Sequence, residues 1–148
     1  MNALERLLIE RDCEATVLAF FAALDAHADP EVAEQLAENG IWERAGKRLE
    51  GRAAVLSALA KRPIERVTCH LVSNLCFDLG DESHAVARFY LLAYEGYAAS
   101  SADEAGPRLV GIRACTDSLS RHGERWLIDL KCSRPHLPMA APTPELLR

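Results

Sequence analysis

The sequence predicts an α+β fold: a strongly bent antiparallel sheet with three N-terminal helices packed over one side, together forming a cone. Three observations carry that prediction. Apolar residues recur at helical spacing up to Pro63 and at spacing two beyond it. All helical patterns come first and all long strand patterns follow, so the strands can pair with one another through short turns. Finally, "ERVTCHLVSNLCFDLG" (65–80) has two apolar-leaning faces. Val67, Cys69, Leu71, Leu75 and Phe77 alternate on one, and Thr68, His70, Val72, Asn74 and Cys76 on the other. A strand of that kind is covered on both sides, here by helices and a pocket within the cone and by a second subunit outside it.

Taken in order, Leu4, Leu8, Val17, Phe20, Phe21 and Leu24 mark one long helix, or two abutting ones, over residues 4–27. "ADPEVAEQLAENG" supplies Asp29 as N-cap, Pro30 at the first helical position and Gly40 as a stop, which defines a second helix. "GIWERAGKRLEG" reads as a small hairpin turning at Ala45, Gly46 and Lys47. "RAAVLSALAKRP" is a third helix that Pro63 ends. The 65–80 strand is followed by "GDES" as a turn and "HAVARFYLLAYEGY" as its return. "AASSADEAGP" reads as a polar loop, and "RLVGIRACTDSLSR" with "ERWLIDLKCSR" forms a closing pair around "HGE". One domain over residues 1–134 results, with a proline-rich and irregular tail over 135–148.

Composition excludes several function classes. The 148 residues are 49% apolar and 26% charged, with a net charge of −5 and no basic stripe, which argues against nucleic acid as a partner. No segment reaches the about 18 to 20 apolar residues of a membrane span. The opening "MNALERLLIERD" has no apolar core of a secretory signal. Five cysteines without a CxxC pair read as free thiols in a reducing cytoplasm. Residues His27, His84, His122 and His136 form no spacing that holds a metal, and no glycine-rich phosphate loop is present, so neither metal nor cofactor is expected.

The residue that invites chemistry is His70, an imidazole on the inner face of a strand. A partly buried imidazole beside a carboxylate works as general base or acid without a cofactor. The plain alternative is a core histidine satisfied by a backbone carbonyl. Val72, Asn74 and Cys76 share its face in strict alternation. Asn74 would lie about 13 Å along the strand, near enough for another part of a substrate but not for the same atom. Trp42, Tyr90 and Tyr94 are candidate pocket walls, offering stacking area and a hydroxyl. Arg113 and Lys131 read as surface or dimer-interface charges, and Asp117 as the structural partner of a base on a neighbouring strand.

The order of elements, with "FFAALDAHADPEVAEQLAENGIWE" (20–43), "LEGRAAVLSAL" (49–59), "CHLVSNL" (69–75), "VARFYLLAYEG" (86–96) and "TDSLSRHGERWLID" (116–129), resembles the nuclear transport factor 2-like superfamily. More narrowly it resembles the branch holding SnoaL-like polyketide cyclases, scytalone dehydratase and the small subunits of aromatic-ring dioxygenases. The resemblance implies that Asp25, in "ALDAHAD", and His70, in "CHLV", both point into a pocket. By their residue types alone, Asp25 reads equally as a solvated helix-end carboxylate. A further histidine of the dehydratase pattern, on the third long strand, is replaced here by Arg113 or Cys115.

The function expected is therefore a cofactor-independent isomerase, cyclase or dehydratase step on a small apolar oxygenated ring compound. His70 would move the proton, Asp25 would orient it, and Trp42, Val72, Asn74, Tyr90 and Tyr94 would contact substrate. Alternatives of the same shape are a small-molecule-binding protein without catalysis and a scaffold subunit of an aromatic-ring dioxygenase. A homodimer through the outer sheet face is expected, with neither nucleic acid nor membrane as partner.

Overall fold

A computed structural model describes residues 1–98 and 106–137 of the chain. The first element is a single helix, α1 (Ala3–Asp25), opened by a capping box in which Asn2 Oδ1 accepts from the Glu5 backbone N–H at 2.9 Å. Ile9, Cys13, Thr16, Val17, Phe20, Phe21 and Leu24 form its buried stripe. Leu4 and Leu8, expected on that stripe, are exposed instead, as is Leu7, because the first two turns of α1 project past the core. The helix stops without glycine. His27 takes a left-handed φ of 54°, its N–H donates to Leu24 O, and the Ala28 N–H donates back to Ala23 O at 2.9 Å. The His27 ring is tied to the start of the first long strand by an Nε2 contact of 2.7 Å with Arg66 O.

Helix α2 (Asp29–Glu34) is N-capped by Ala28, one residue before the expected Asp29, with Pro30 in its first turn. It does not run on to Gly40. Strand β1 (Leu36–Arg44) begins two residues later, because Leu36 and Ala37 are buried and β1 lies parallel to the last strand, Leu36 opposite Ile128. Gly40 acts as a contact point rather than a helix stop: a Cβ there would lie 2.7 Å from Ile128 O. Ala45 and Gly46, both at positive φ, turn β1 into β2 (Lys47–Glu50), and α3 (Gly51–Leu59) follows.

Four long strands complete the chain: β3 (Arg66–Leu79), β4 (His84–Tyr97), β5 (Arg108–His122) and β6 (Arg125–Leu137). The sheet order is β2-β1-β6-β5-β4-β3, antiparallel except for the β1–β6 pair. Helix α1 lies across the inner face, and Phe20, Leu36, Leu59, Leu119 and Ile128 fill the space between helices and sheet. The Thr16 hydroxyl donates to Trp126 O at 2.8 Å and pins α1 to β6. Pro135 to Leu137, expected in the irregular tail, continue β6, with Pro135 opposite Arg113. The remainder of that tail, 138–148, and most of the expected polar loop, 99–105, lie outside the described residues.

Strand β3 corrects the alternation read from sequence. Its pairing with β4 shifts between Ser73 and Cys76, and Asn74 sits at φ 55°, a conformation asparagine tolerates. One extra residue swaps the faces. Thr68, His70 and Val72 point inward before the bulge, and Leu75, Phe77 and Leu79 pack inward after it. Much of the apparent two-sided apolarity is thus one inner face counted across a bulge. Val67 and Leu71 remain as exposed apolar residues outside.

Candidate functional site

The Schellman-type stop of α1 places Asp25 on the last helical residue, against the start of β3. Three donors converge on its carboxylate. The His70 backbone N–H reaches Oδ2 at 2.9 Å, the Thr68 hydroxyl reaches Oδ1 at 2.8 Å, and His70 Nδ1 lies 2.5 Å from Oδ1. A carboxylate oxygen accepts, so Nδ1 carries the proton and Nε2 keeps a lone pair. Phe21 stacks on the imidazole with centroids 5.4 Å apart. Burial lowers the His70 pKa below its ordinary value; Asp25 pulls it up, and Arg62 and Arg66 push it down further. The neutral, proton-accepting ring is the favoured form.

The ring borders a cavity of about 280 Å³. Phe21, Leu24, Trp42, Leu91, Ala93 and Val110 give it apolar wall, with Trp42 held edge-on to Phe20 at 5.0 Å between centroids. Arg44, Arg62, Arg66, Arg113 and Lys131 also line it, as does Cys115, whose thiol burial pushes up to about 11. Lys131 is therefore buried and not the surface charge expected, and Arg113 is half-buried at the cavity. Lys131 and Asp117 form a buried ion pair at 2.7 Å, with the ammonium 4.3 Å from the Phe21 ring centre. Burial raises the Asp117 pKa and Lys131 opposes it.

Of the residues expected to touch a substrate, Trp42 alone lines this cavity. Val72 faces inward but packs on the core next to it. The bulge carries Asn74 to the outer face, where it borders a second groove of about 650 Å³ with Cys76, Arg88 and Tyr90, one that shares Glu43, Cys115, Cys132 and Ser133 with the cavity. Tyr90 stacks there near His136, at 4.6 Å. Tyr94 stands opposite Cys69 and borders a shallow outer depression with Val67 and Tyr97. Both tyrosines sit on the outward parity of β4, which periodicity alone could not assign without knowing which face holds the helices. Among the described residues, no group of three or more His, Cys, Asp or Glu side chains could hold a metal. No helix there is long and apolar enough to cross a membrane.

The model of the SnoaL-like domain matches residues 5–130. The chain belongs to the SnoaL-like domain family. Among solved structures, this SnoaL-like chain is similar to a putative scytalone dehydratase from Novosphingobium aromaticivorans at 20% identity and a TM-score of 0.79, covering 96% of this chain and 93% of that one. A Catenulispora acidiphila protein in complex with S-DNPA shares 20% identity at a TM-score of 0.72, over 86% of this chain and 92% of that one. A type 2 hexachlorocyclohexane dehydrochlorinase shares 14% identity at a TM-score of 0.73, over 95% and 99%. At such identities the likeness is one of fold, and it includes nuclear transport factor 2-like proteins. No curated protein matches the sequence.

Several SnoaL-like cavity residues escaped sequence reading. Thr68 carried a usable signal, since it alternates with His70 on one strand face. Phe21 reads from sequence only as an apolar position of the first helix. Arg62, in the turn after α3, donates to Leu24 O at 3.0 Å and to Thr68 Oγ1 at 3.4 Å, and nothing local in "AKRP" announces that role.

Proposed function

We propose that this chain is a cofactor-independent general acid–base enzyme carrying out an isomerase, cyclase or dehydratase step on a small, apolar, oxygenated ring compound. The observation that carries the reading is the His70 imidazole, held through Nδ1 by Asp25 and bordering a void of about 280 Å³. His70 Nε2 takes a proton from carbon next to a carbonyl, and the electron pair moves onto the carbonyl oxygen. The same nitrogen returns the proton at a second position, or to a departing hydroxyl. Asp25 stabilises the imidazolium that forms in between. Structural neighbours named a putative scytalone dehydratase and a dehydrochlorinase support an elimination or related proton transfer in this fold.

The test is hydrogen exchange at carbon. In deuterium oxide with a panel of bicyclic aromatic ketones, the wild-type chain speeds deuterium uptake next to the carbonyl, followed by NMR. His70→Ala lowers that rate by about 10² to 10⁴-fold while the melting temperature changes little. Uptake unaffected by the substitution would sink the proposed chemistry.

A second reading is binding without turnover. Arg113 and Cys115 both line the cavity on β5, where the dehydratase resemblance puts a further histidine, so among the described residues no second imidazole lines it. A neighbour in complex with S-DNPA supports a small molecule held in this fold. A ligand that co-purifies and is recovered chemically unchanged after long incubation would favour this reading. Exposed Val67 and Leu71 on the outer face of β3 support the homodimer expectation, and light scattering that gives a monomer mass at micromolar concentration removes it.

A further inference from the structure

Five cations border the cavity, although the chain as a whole carries a net charge of −5. Two of them are matched by carboxylates: Arg66 by Glu95 at 2.7 Å, with Arg108 also on Glu95, and Lys131 by Asp117. Arg44, Arg62 and Arg113 form no ion pair among the described residues; Glu43, which also borders the cavity, pairs with Arg48 at 2.8 Å, and Asp25 and Asp29 attract Arg62 without an ion-pair contact. Among the described residues Arg113 donates only to Ser133, through Nε to the hydroxyl at 2.7 Å and through a terminal nitrogen to the carbonyl at 3.1 Å. Arg62 donates to neutral oxygens, and its Nε is buried without an acceptor. Arg44 lies with its guanidinium carbon 5.0 Å from the Trp42 ring centre. Burial lowers the Arg44 pKa, and Arg62 and Arg66 lower it further, so these groups are close enough to repel one another.

Unmatched guanidinium groups withdrawn from water are costly, and each one raises the cost of the next. A bound anion would relieve both penalties. We propose that the ligand of this cavity carries a carboxylate, held by the Arg44 and Arg62 guanidinium groups while its ring lies against Phe21, Trp42 and Leu91. The planar fork of an arginine matches the two oxygens of a carboxylate, and the neighbouring wall is apolar hydrocarbon suited to a ring. The proposal names the substrate class of the site described above, as a ring-bearing acid, and so rests on that acid–base reading.

Calorimetric titration of the full chain with 2-naphthoate and with uncharged 2-naphthamide tests it. Naphthoate is expected to bind about tenfold or more tightly than naphthamide. Arg44→Gln should remove most of that preference by weakening naphthoate alone. Arg62→Gln should do the same, with circular dichroism to check the fold, because Arg62 also holds the end of α1. Equal affinity for acid and amide overturns the proposal, as does no binding of naphthoate at millimolar concentration, or a preference that survives Arg44→Gln. The two readings fail separately. His70-dependent exchange on neutral ketones without any carboxylate preference overturns the anion site and leaves the acid–base reading standing. An Arg44-dependent preference without His70-dependent exchange supports the anion site and overturns the chemistry.

Discussion

Phe21 touches two carboxylate–base pairs that look alike in composition and differ in what they are free to do. In the first, His70 stacks on the ring and contacts Asp25 at 2.5 Å; in the second, Lys131 sits over the same ring and contacts Asp117 at 2.7 Å. Asp117 is fully buried and the Lys131 side chain is 5% exposed, enclosed by Phe20, Phe21 and Phe89. The ammonium spends its charge on one carboxylate and three ring faces. His70, by contrast, engages Asp25 through one ring nitrogen and retains a second that has no protein partner among the described residues. An imidazole has a proton-bearing and a proton-accepting nitrogen, so it can be anchored and reactive together. The comparison assigns the first pair to chemistry and the second to structure.

Breaking the structural pair should give the largest effect. Lys131→Met leaves the Asp117 charge buried without a partner, and about 3–5 kcal/mol of unfolding free energy should be lost, read from the urea midpoint. A loss below about 1 kcal/mol would mean that Asp117 simply takes up a proton, as its raised pKa permits. Breaking the other pair should act on rate. Asp25→Asn removes a charge-assisted hydrogen bond worth about 1.5–3 kcal/mol, so kcat should fall roughly ten- to a hundredfold, by less than for His70→Ala. Were kcat unchanged in Asp25→Asn, orientation by the carboxylate would not matter to the reaction.

The smallest effect concerns pH. The folded His70 pKa lies below the value of 6.5 that it regains on unfolding, with burial as the main cause. Between those two values the unfolded chain binds more protons than the folded one. Stability should therefore fall as pH drops through 6.5 toward the folded pKa, and this contribution should level off below it. Melting temperatures measured from pH 7.5 down to pH 5 should show that slope in the wild type and less of it in His70→Gln. Identical slopes would place the acid sensitivity elsewhere.

Much of the architecture was legible because it rests on local patterns. The stripe from Val17 to Leu24, the proline after α3 and the switch to long strands each follow from the spacing of apolar side chains. The errors have a common origin in pairing. "AEQLAEN" has the propensity of a helix, yet Leu36 is drawn into β1 by burial against β6. Asn74, Tyr90 and Tyr94 fell on the wrong side because a single bulge and the choice of inner face are decided by neighbouring strands. Arg113 and Lys131 were misjudged as surface charges because polar residues in strands usually face water.

From its residues alone, the chain settles where apolar periodicity begins, changes and stops, and hence the sequence of helices followed by long strands; such patterns depend on neighbours within a few positions. Only the folded arrangement settles that Asp25 meets His70, 45 residues further on, and that three arginines gather at one void without carboxylate partners among the described residues. Those contacts join side chains from α1, the α3–β3 turn, β1, β3 and β5. Their distances are set by sheet curvature and by the way one helix ends, and no local pattern of residues encodes either.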